Sequence, residues 1–542
     1  MNPAPTAPAS APDKASAGDG AAAVRPVRNV LFIMCDQLRA DHLSCYGDPG
    51  VLRTPHIDAL AARGTRFERA YVSSAVCGPS RTSFYTGRHP VSHRVTWNRV
   101  PMPLDELGVG DYLHQAGRRF DLLGKTHFVP HRAGLDEHGY QLDPDARGRW
   151  LEGGFTPVER YDGHFEMAET SPYREHLRAR GYSGAQPWTD HVIGSLDAQG
   201  AFASGWYLRN AGLPARVHEE DSETAYLTTR AIAHIDAQGD TPWALHLSYI
   251  KPHWPYKAPA PYHALYGAED ARPPVRGKAE RERPHPVHGA YQRLEESVSF
   301  ARDEVWRTVR PVYMGLVRQI DDQIGRLMAF LEQSGRLQDT LIVFTADHGD
   351  FLGDHWLGEK EYFFEPVIRV PMIVVDPAGQ PGQVRQEFVE CVDVVPTLLD
   401  ALGLPIPEHR IEGRSLRPLL RGEPDAASRS FVVGSLDYAY REARTFLGRG
   451  PHECTGWMVR ENRYKLIVWE GYPDQLFDLH EDPQELQDRA GEAALAPVLR
   501  RLRESLLHWT LERRRRTSET GAQVVARTHA HERMMKILIG IW

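Results

Sequence analysis

Residues 29–37 of this chain read NVLFIMCDQ, a short apolar run that ends in an acid and an amide. A strand that is apolar along its whole length is typical of a parallel sheet buried on both faces. The carboxyl ends of such strands are where α/β proteins bind their ligands. Asp36 and Gln37 stand at that position, so the stretch predicts a buried parallel strand with polar chemistry at its end.

Other apolar runs of similar length recur along the chain and are separated by helical patterns. They predict strands at residues 66–72, 119–123, 243–250, 340–345 and 370–375. Capping residues and apolar side chains at three- and four-residue steps predict helices at 55–63, 105–116, 223–238 and 303–333. This alternation over residues 29–405 predicts the α/β fold class: a doubly wound, mostly parallel central sheet with helices on both faces.

The pattern of the sequence changes after about Gly422. Short strands at 431–433, 457–460, 464–469 and 476–479, then a helix at 492–513, predict a smaller C-terminal antiparallel sheet with one helix. The predicted domains are a flexible leader (1–28), a catalytic α/β domain (29–421), this C-terminal subdomain (422–516) and a tail (517–542). The tail ends in the apolar run ILIGIW, which predicts contact with a neighbouring subunit and so a homo-oligomer, a dimer or a tetramer.

Composition restricts the class of function. The 542 residues are 41% hydrophobic and 25% charged, which is typical of a soluble globular protein. A net charge of −8 argues against nucleic-acid binding, and no apolar run is long enough to cross a membrane. Five scattered cysteines and a leader without an apolar core predict no disulfide framework and a cytoplasmic location. A chain trimmed of its signal peptide would have the same composition.

Residues 76–82 (VCGPSRT) form the most unusual loop of the chain. Pro79 suits the first turn of a helix, so Cys77 is predicted at a helix N-terminus. Unpaired backbone N–H groups and the guanidinium of Arg81 attract an anion at such a place. Cys77 is therefore a candidate nucleophile for an anionic substrate. The alternative is a free thiol buried as a small core residue.

Polar residues follow four of the predicted strands, and parallel strands bring such ends together at one edge of the sheet, near Cys77. Two pairs of adjacent residues, Asp36-Gln37 and Asp347-His348, carry oxygen and nitrogen donors that suit Ca²⁺ or Mn²⁺, with Zn²⁺ also possible. The candidate metal ligands are Asp36, Gln37, Asp347 and His348. The alternative for an Asp-His pair is a simple hydrogen-bonded turn.

A second group of residues offers positive charge or protons to a tetrahedral oxyanion. Its members are Lys125, His127, His253 and Lys360, three of which follow predicted strands. For each residue taken alone, the alternative is a surface lysine or a capping histidine.

Several blocks of the chain together resemble the type I sulfatases of the alkaline phosphatase superfamily. The most specific block is CGPSR at 77–81 with TGR at 86–88. The other matching blocks are DQ (36–37), GKTH (124–127), KPH (251–253), TADHG (345–349) and the segment 313–325. The resemblance extends over roughly residues 29–485.

The resemblance implies a particular chemistry at Cys77. In this family a formylglycine-generating enzyme oxidises the cysteine to formylglycine (3-oxoalanine), whose hydrate is the nucleophile and also contacts the one divalent metal ion. The hydrate attacks the ester to form a covalent intermediate, and its second hydroxyl then releases the product. A serine at this position would not be released in this way.

The family also implies roles for the surrounding cations and imidazoles. Arg81 and Lys125 are expected to orient the nucleophile. His253 and Lys360 are expected to bind the substrate oxyanion, and one of them to protonate the leaving alcohol. His127 is the expected base for release of the covalent ester.

Some positions depart from the commonest sulfatase pattern. Gln37, His348 and Asn98 resemble the phosphonate monoester hydrolase branch, whereas Lys125 and His127 resemble the sulfatase branch, since the phosphonate branch has Tyr and Thr there. Thr126 replaces a tryptophan that is frequent in the family. The expected substrate-binding residues are Asn98, Lys125, Thr126, His253 and Lys360, with residues 129–221 as an insertion that walls the site.

The expected function is hydrolysis of sulfate monoesters, in particular aryl sulfates, through a covalent sulfo-enzyme ester. The alternative is a phosphonate monoester or phosphodiester hydrolase, and some activity on both ester types is expected. An inactive, metal-stabilised binding protein is a third interpretation, against which the complete set of candidate ligands argues.

Overall fold

A computed structural model describes residues 27–528, apart from 48–49, 140, 142–143, 164–170, 424–427 and 514–515. Nearly all of the predicted leader (1–28) and the apolar end of the tail (537–542) lie outside the described residues. The domain boundaries and the oligomer contact therefore stay predictions. Within the described ranges, none of the helices combines the length and apolar character that a membrane crossing needs.

The strands are divided among three sheets. They are β1 (Asn29–Asp36), β2 (Thr65–Tyr71), β3 (Asp121–Gly124), β4 (Thr156–Arg160), β5 (Gly194–Leu196), β6 (Phe202–Ser204), β7 (Ala244–Pro252), β8 (Thr340–Ala346), β9 (Met372–Val375), β10 (Gln383–Glu390), β11 (Phe431–Asp437), β12 (Thr455–Glu461), β13 (Tyr464–Trp469) and β14 (Gln475–Asp478). Eight of them form the central sheet, in the order β10-β2-β9-β8-β1-β7-β3-β4. Its pairs are parallel except those of β9. The predicted α/β fold class is confirmed.

The apolar run predicted at 370–375 forms β9, which is antiparallel to both β2 and β8. A parallel partner needs a long crossover, usually a helix of a dozen or more residues with its loops. Between β8 and β9 the chain forms a 3₁₀ turn at Asp354–Trp356, the four-residue α-helix Glu365–Ile368 and irregular loops, with no long crossover helix. The chain therefore returns in the opposite direction.

The helices cover both faces of the central sheet. They are α1 (Pro55–Arg63), α2 (Cys77–Thr86), α3 (Pro90–His93), α4 (Val109–Gln115), α5 (Arg132–His138), α6 (Pro144–Leu151), α7 (Pro172–Ala179), α8 (Glu223–Ala237), α9 (Lys278–Glu282), α10 (Pro286–Tyr291), α11 (Glu295–Phe300), α12 (Asp303–Gln333), α13 (Glu365–Ile368), α14 (Val394–Ala401), α15 (Arg417–Leu420), α16 (Glu442–Phe446), α17 (Ala496–Glu512) and α18 (Gly521–Arg527). One group, α1, α8 and α12, packs together beside β7, and α2 packs with α4 and α14.

Two helices begin later than predicted. The helix predicted at 105–116 begins only at Val109, because Gly108 is extended and the carboxylate of Asp111 accepts the Gly108 N–H at 2.9 Å. The helix predicted at 492–513 begins at Ala496, after a 3₁₀ turn at 493–495. In contrast, α12 spans the predicted residues 303–333, with an apolar stripe buried along its length.

The C-terminal sheet has the order β11-β12-β13-β14 and is antiparallel throughout. One of its faces packs on α17 through Leu502 and Trp509, which meet Val433, Val459 and Leu466. The predicted small antiparallel sheet with one covering helix is confirmed. The insertion at 129–221 is more regular than its sequence indicated, since β4 extends the central sheet and β5 pairs with β6 in a separate hairpin.

Candidate active site

Cys77 is the first residue of α2, and the preceding residue, Val76, is extended. The thiol is 1% exposed. Position 78 suits a glycine because the backbone of residues 97–98 passes close by. A Cβ at Gly78 would lie 3.2 Å from the Cα of Asn98. The Gly78 N–H donates to Asn98 Oδ1 at 2.8 Å. Asn98, expected to contact substrate, thus holds the first turn of α2.

The strand ends of β1 and β8 meet at Cys77. Its Sγ lies 3.1 Å from His348 Nε2 and 4.0 Å from Asp36 Oδ1. His348 Nε2 is also 3.8 Å from Asp36 Oδ1 and 3.7 Å from Asp347 Oδ1. One ligand atom from each of these four buried residues lies within 4.8 Å of the others, which makes the group a possible metal-binding site.

Gln37 adopts a left-handed backbone conformation, with φ of 65°. Its N–H donates to Asp347 Oδ1 at 3.0 Å, and its side-chain Nε2 donates to Asp350 Oδ2 at 2.6 Å. The remaining side-chain oxygen, Oε1, lies 3.2 Å from Lys360 Nζ. The oxygen that was expected to bind metal therefore also accepts from a lysine.

No role for Asp350 was predicted from the sequence. It is fully buried, and its carboxylate also accepts from the Tyr256 hydroxyl at 2.6 Å and from the Leu352 N–H at 2.9 Å. It sets the orientation of the Gln37 amide. Its position directly after residues 347–349 (DHG) could have indicated a role for Asp350 from the sequence, whereas no feature of the sequence indicated a role for Tyr256.

Two buried cations neutralise the carboxylates of the site. Arg81 Nε donates to Asp347 Oδ2 at 2.7 Å, and its Nη2 is 3.3 Å from Asp36 Oδ2. Lys125 Nζ pairs with the same Asp36 oxygen at 2.5 Å. Burial alone would raise the pKa of Asp36, but Lys125, His253 and Arg81 hold that pKa well below its ordinary value.

His253 and Lys360 face each other at the end of β7, with 3.1 Å between His253 Nε2 and Lys360 Nζ. His253 Nδ1 lies 2.6 Å from the carbonyl oxygen of Trp254, so Nδ1 carries the ring proton and Nε2 accepts from the lysine. Burial, aided by Lys360 and Lys125, holds the pKa of His253 well below its ordinary value. The pair therefore presents a neutral imidazole beside an ammonium group.

Thr126 and His127 follow the end of β3. The Thr126 hydroxyl donates to Glu152 Oε2 at 2.9 Å, so this residue ties β3 to the insertion. His127 is half-buried, with φ of 53°. Burial, together with Lys125 and Arg81, holds the pKa of His127 well below its ordinary value, so the imidazole is neutral and able to accept a proton.

A second group of ligand atoms among the described residues consists of His56, Asp321 and Asp322. Asp321 Oδ1 accepts the N–H groups of His56 and Ile57 in the first turn of α1, and Asp322 pairs with Arg318 at 2.8 Å. These contacts assign the group to helix capping.

Comparison with known proteins identifies the family. Residues 28–404 match the family model described as Sulfatase, and residues 353–512 match the one described as N-sulphoglucosamine sulphohydrolase, C-terminal. The chain belongs to the sulfatase family, in the alkaline phosphatase superfamily, and is a hydrolase. The resemblance seen in the sequence is confirmed.

Individual relatives come from both branches of that family. The multifunctional alkaline phosphatase superfamily protein PehA of Trinickia caryophylli is 32% identical, over 90% of this chain and 96% of its own. A choline-sulfatase of Rhizobium meliloti is 30% identical, over 89% and 87%. The solved structure of a phosphonate monoester hydrolase from Silicibacter pomeroyi superposes with a TM-score of 0.79 at 33% identity, over 90% and 96%.

Proposed function

We propose that this protein hydrolyses sulfate monoesters, with aryl sulfates as a substrate class, by means of a formylglycine formed from Cys77. The observation that carries the proposal is the position of Cys77 Sγ, 3.1 Å from His348 Nε2 and at the edge of the Asp36 and Asp347 carboxylates. Maturation by a formylglycine-generating enzyme belongs to the same proposal.

The buried donor set fits one divalent metal ion. His348 Nδ1 lies 2.9 Å from the carbonyl oxygen of Gly349, which leaves Nε2, on the side of the Asp36 and Asp347 carboxylates, as the nitrogen that would bind the ion. Two carboxylates, an imidazole and the amide oxygen of Gln37 suit Mn²⁺ or Ca²⁺. The ion would supply positive charge that stabilises the oxyanion of the transition state.

The remaining side chains bind the ester and move protons. The formylglycine hydrate would supply the nucleophilic hydroxyl and a second hydroxyl. Loss of the proton of that second hydroxyl would form the aldehyde C=O again, break the C–O bond to the sulfate and so release sulfate. Lys360 Nζ, which is held by His253 Nε2 and Gln37 Oε1, donates a proton to the departing alcohol oxygen. His127, kept neutral by burial and by nearby Lys125, accepts the proton of the second hydroxyl.

The number of polar groups beside Cys77 favours a sulfate. A sulfate monoester has three non-bridging oxygens, whereas a phosphonate monoester has two and a carbon substituent. Lys125 and His127 add two nitrogens at the end of β3, beyond those of His253 and Lys360. Donors without an acceptor are costly in a buried site, so this set suits the ester with more oxygens.

A phosphonate monoester or phosphodiester hydrolase is the second candidate. It is favoured by the similarity to the Silicibacter pomeroyi phosphonate monoester hydrolase and to PehA, and by the Asp36-Gln37 and Asp347-His348 pairs.

Side-by-side kinetics test the proposal. We expect kcat/KM to be higher for 4-nitrophenyl sulfate than for 4-nitrophenyl phenylphosphonate, with mass spectrometry of the Cys77 peptide confirming its conversion to formylglycine. The double variant Lys125→Tyr/His127→Thr should shift the ratio toward the phosphonate by at least about tenfold, since it replaces the Lys125 ammonium and the His127 imidazole by neutral hydroxyl groups. A wild-type preference for the phosphonate contradicts the first choice and supports the second.

A further inference from the structure

The loop that carries Lys360 has an unfavourable backbone conformation. Glu359 and Glu361, the residues on either side of Lys360, have φ of 55° and 77°. Side chains other than glycine rarely adopt this left-handed conformation, and it persists only where surrounding contacts impose it. The position of Lys360 in the site therefore depends on whatever holds its two neighbours.

The Glu359 side is held from within the same loop, where the Phe351 N–H donates to the Glu359 carbonyl oxygen at 2.6 Å. The Glu361 side is held from a distant part of the chain. Arg441 Nε lies 2.7 Å from Glu361 Oε2, and Arg441 Nη2 pairs with the carboxylate of Glu296 on α11. One guanidinium thus connects the Lys360 loop to a helix of the catalytic region.

Arg441 belongs to residues 437–441, which begin at the last residue of β11 and are called the 437–441 segment. The same segment reaches the start of α2. Asp437 Oδ2 accepts the hydroxyl of Thr96 at 2.9 Å, and the Tyr440 ring stacks on Trp97 at 5.9 Å and 12°. The residue after Trp97 is Asn98, which holds Gly78. The segment therefore contacts both the Lys360 loop and the residues that precede Asn98.

We propose that Arg441 is a positioning residue for Lys360, so that the C-terminal subdomain takes part in leaving-group protonation. This inference rests on the proposed role of Lys360. Among the described residues, the carboxylates that pair with Arg441 are those of Glu361 and Glu296, which are not candidate ligands, and Arg441 acts by fixing Glu361. Its planar, forked guanidinium matches two carboxylates at once, which a lysine ammonium does less well.

The test uses two sulfate esters that differ in their need for a proton: phenyl sulfate, a poor leaving group, and 4-nitrophenyl sulfate, a good one. In Arg441→Ala, kcat/KM should fall by about tenfold on the nitrophenyl ester and about a hundredfold on the phenyl ester, because proton donation matters more for the poorer leaving group. Arg441→Lys should lie between this variant and wild type. The control Arg463→Ala, which removes a partly exposed arginine from its pair with the buried Asp478, should change neither value.

A double variant separates this inference from the proposed function. In a Lys360→Ala background, Arg441→Ala should have no further effect, since both changes remove the same interaction. Equal losses on the two esters, or losses that add to those of Lys360→Ala, would overturn the positioning role. Full activity of Lys360→Ala would overturn the role of Lys360 as proton donor, whereas a wild-type protein inactive on both sulfate esters would overturn the proposed function itself. If Arg441→Ala does not fold, Glu361→Gln keeps the shape, removes the charge and should show the same dependence on the leaving group.

Discussion

At the scale of single residues, the protein gives one cysteine an environment unlike that of the others. Burial raises the pKa of Cys35 and Cys391, the latter to about 12. At Cys77 burial acts in the same direction, but Lys360, His348 and Lys125 outweigh it and lower the pKa. The field that favours an anion at this position is the one that a developing negative charge would meet during ester cleavage.

Replacing this cysteine should abolish turnover. Cys77→Ala removes the precursor of the nucleophile, so steady-state hydrolysis should fall below detection while circular dichroism and the melting temperature stay close to wild type. The half-buried Cys45 provides the matched control, and Cys45→Ala should remain active. Near-wild-type activity in Cys77→Ala would exclude a nucleophile derived from this residue.

Replacing a candidate ligand should remove metal. Asp347→Asn weakens the donor set and the pairs that this carboxylate makes with Arg81 and Gln37, so both bound divalent ion and activity should be lost. Elemental analysis of the dialysed protein measures the metal content. Asp303→Asn, at the exposed start of α12, is the control and should bind as much divalent metal as the wild type. Unchanged metal in Asp347→Asn would show that the ligand set is wrong.

Glu152 should make stability depend on pH. Burial raises its pKa from 4.5 to about 7, despite Arg160 and the Thr126 hydroxyl. Between these pH values the folded protein binds more protons than the unfolded chain, so the stabilising effect is complete below pH 4.5 and is lost as the pH rises through 7. The melting temperature of Glu152→Gln minus that of wild type should therefore increase from pH 4.5 to 8.

Glu332→Gln, at an exposed carboxyl of α12, is the comparison variant. A difference for Glu152→Gln that stays constant from pH 4.5 to 8 would contradict the raised pKa of Glu152.

At the scale of elements, α12 holds the chain next to the site through hydrogen bonds to residues beyond β1 and at the start of α1. The hydroxyl of Tyr313 donates to the carbonyl oxygen of Gln37 at 2.7 Å and accepts the Arg39 N–H at 3.0 Å. Further along the helix, Asp321 satisfies two N–H groups at the start of α1. The Tyr313 contacts hold the chain just after β1, and the Asp321 contacts hold the first turn of α1. The helix is therefore part of the framework on which Gln37 keeps its left-handed conformation.

The cap between these helices predicts a loss of stability. Asp321→Ala leaves two N–H groups of α1 without their acceptor, which should cost about 1–2 kcal/mol. Asp321→Asn, which retains one oxygen, should cost less. Asp322→Ala removes a partly exposed pair with Arg318 and a hydrogen bond from the Tyr262 hydroxyl, and should cost less, about 1 kcal/mol. Thermal denaturation of the three variants gives the order, and an Asp321→Ala protein as stable as Asp322→Ala would contradict the capping role.

At the scale of the whole molecule, the C-terminal sheet is joined to the catalytic region by a buried charge. Lys465 on β13 is fully buried and pairs with Glu365 of α13 at 2.8 Å and with Glu485 at 2.6 Å. It also donates to the carbonyl oxygen of Phe363 at 2.8 Å. Together with the 437–441 segment, these contacts bind the smaller sheet to the chain around Lys360.

Removing that lysine should loosen the junction. Lys465→Met leaves the buried Glu485 carboxylate without its cation and removes one of the cations that pair with the partly buried Glu365, which should cost about 3–5 kcal/mol. The change is measured by chemical denaturation. Arg501→Ala, which removes a solvent-exposed pair with Glu461, should cost at most about 1 kcal/mol and serves as the control. Equal effects of the two variants would show that the buried pair does not stabilise the junction.

The sequence by itself determined the fold class, the long helix α12, the small C-terminal sheet and the family. These follow from local information, namely apolar periodicity, capping residues and the CGPSR block, in which every residue lies within a few positions of the next. It also named the residues that the structure brings together around Cys77, because the ends of parallel strands share one edge of the sheet.

Only the tertiary structure decided the direction of β9, the orientation of the Gln37 amide and the position of the 437–441 segment beside Lys360. Gln37 bonds Asp350 across 313 residues of chain, and Arg441 meets Glu296 across 145. A side chain turns toward whichever partner the folded chain supplies, because a buried polar group without a partner is costly. That partner lies far away in sequence, so no local pattern can identify it.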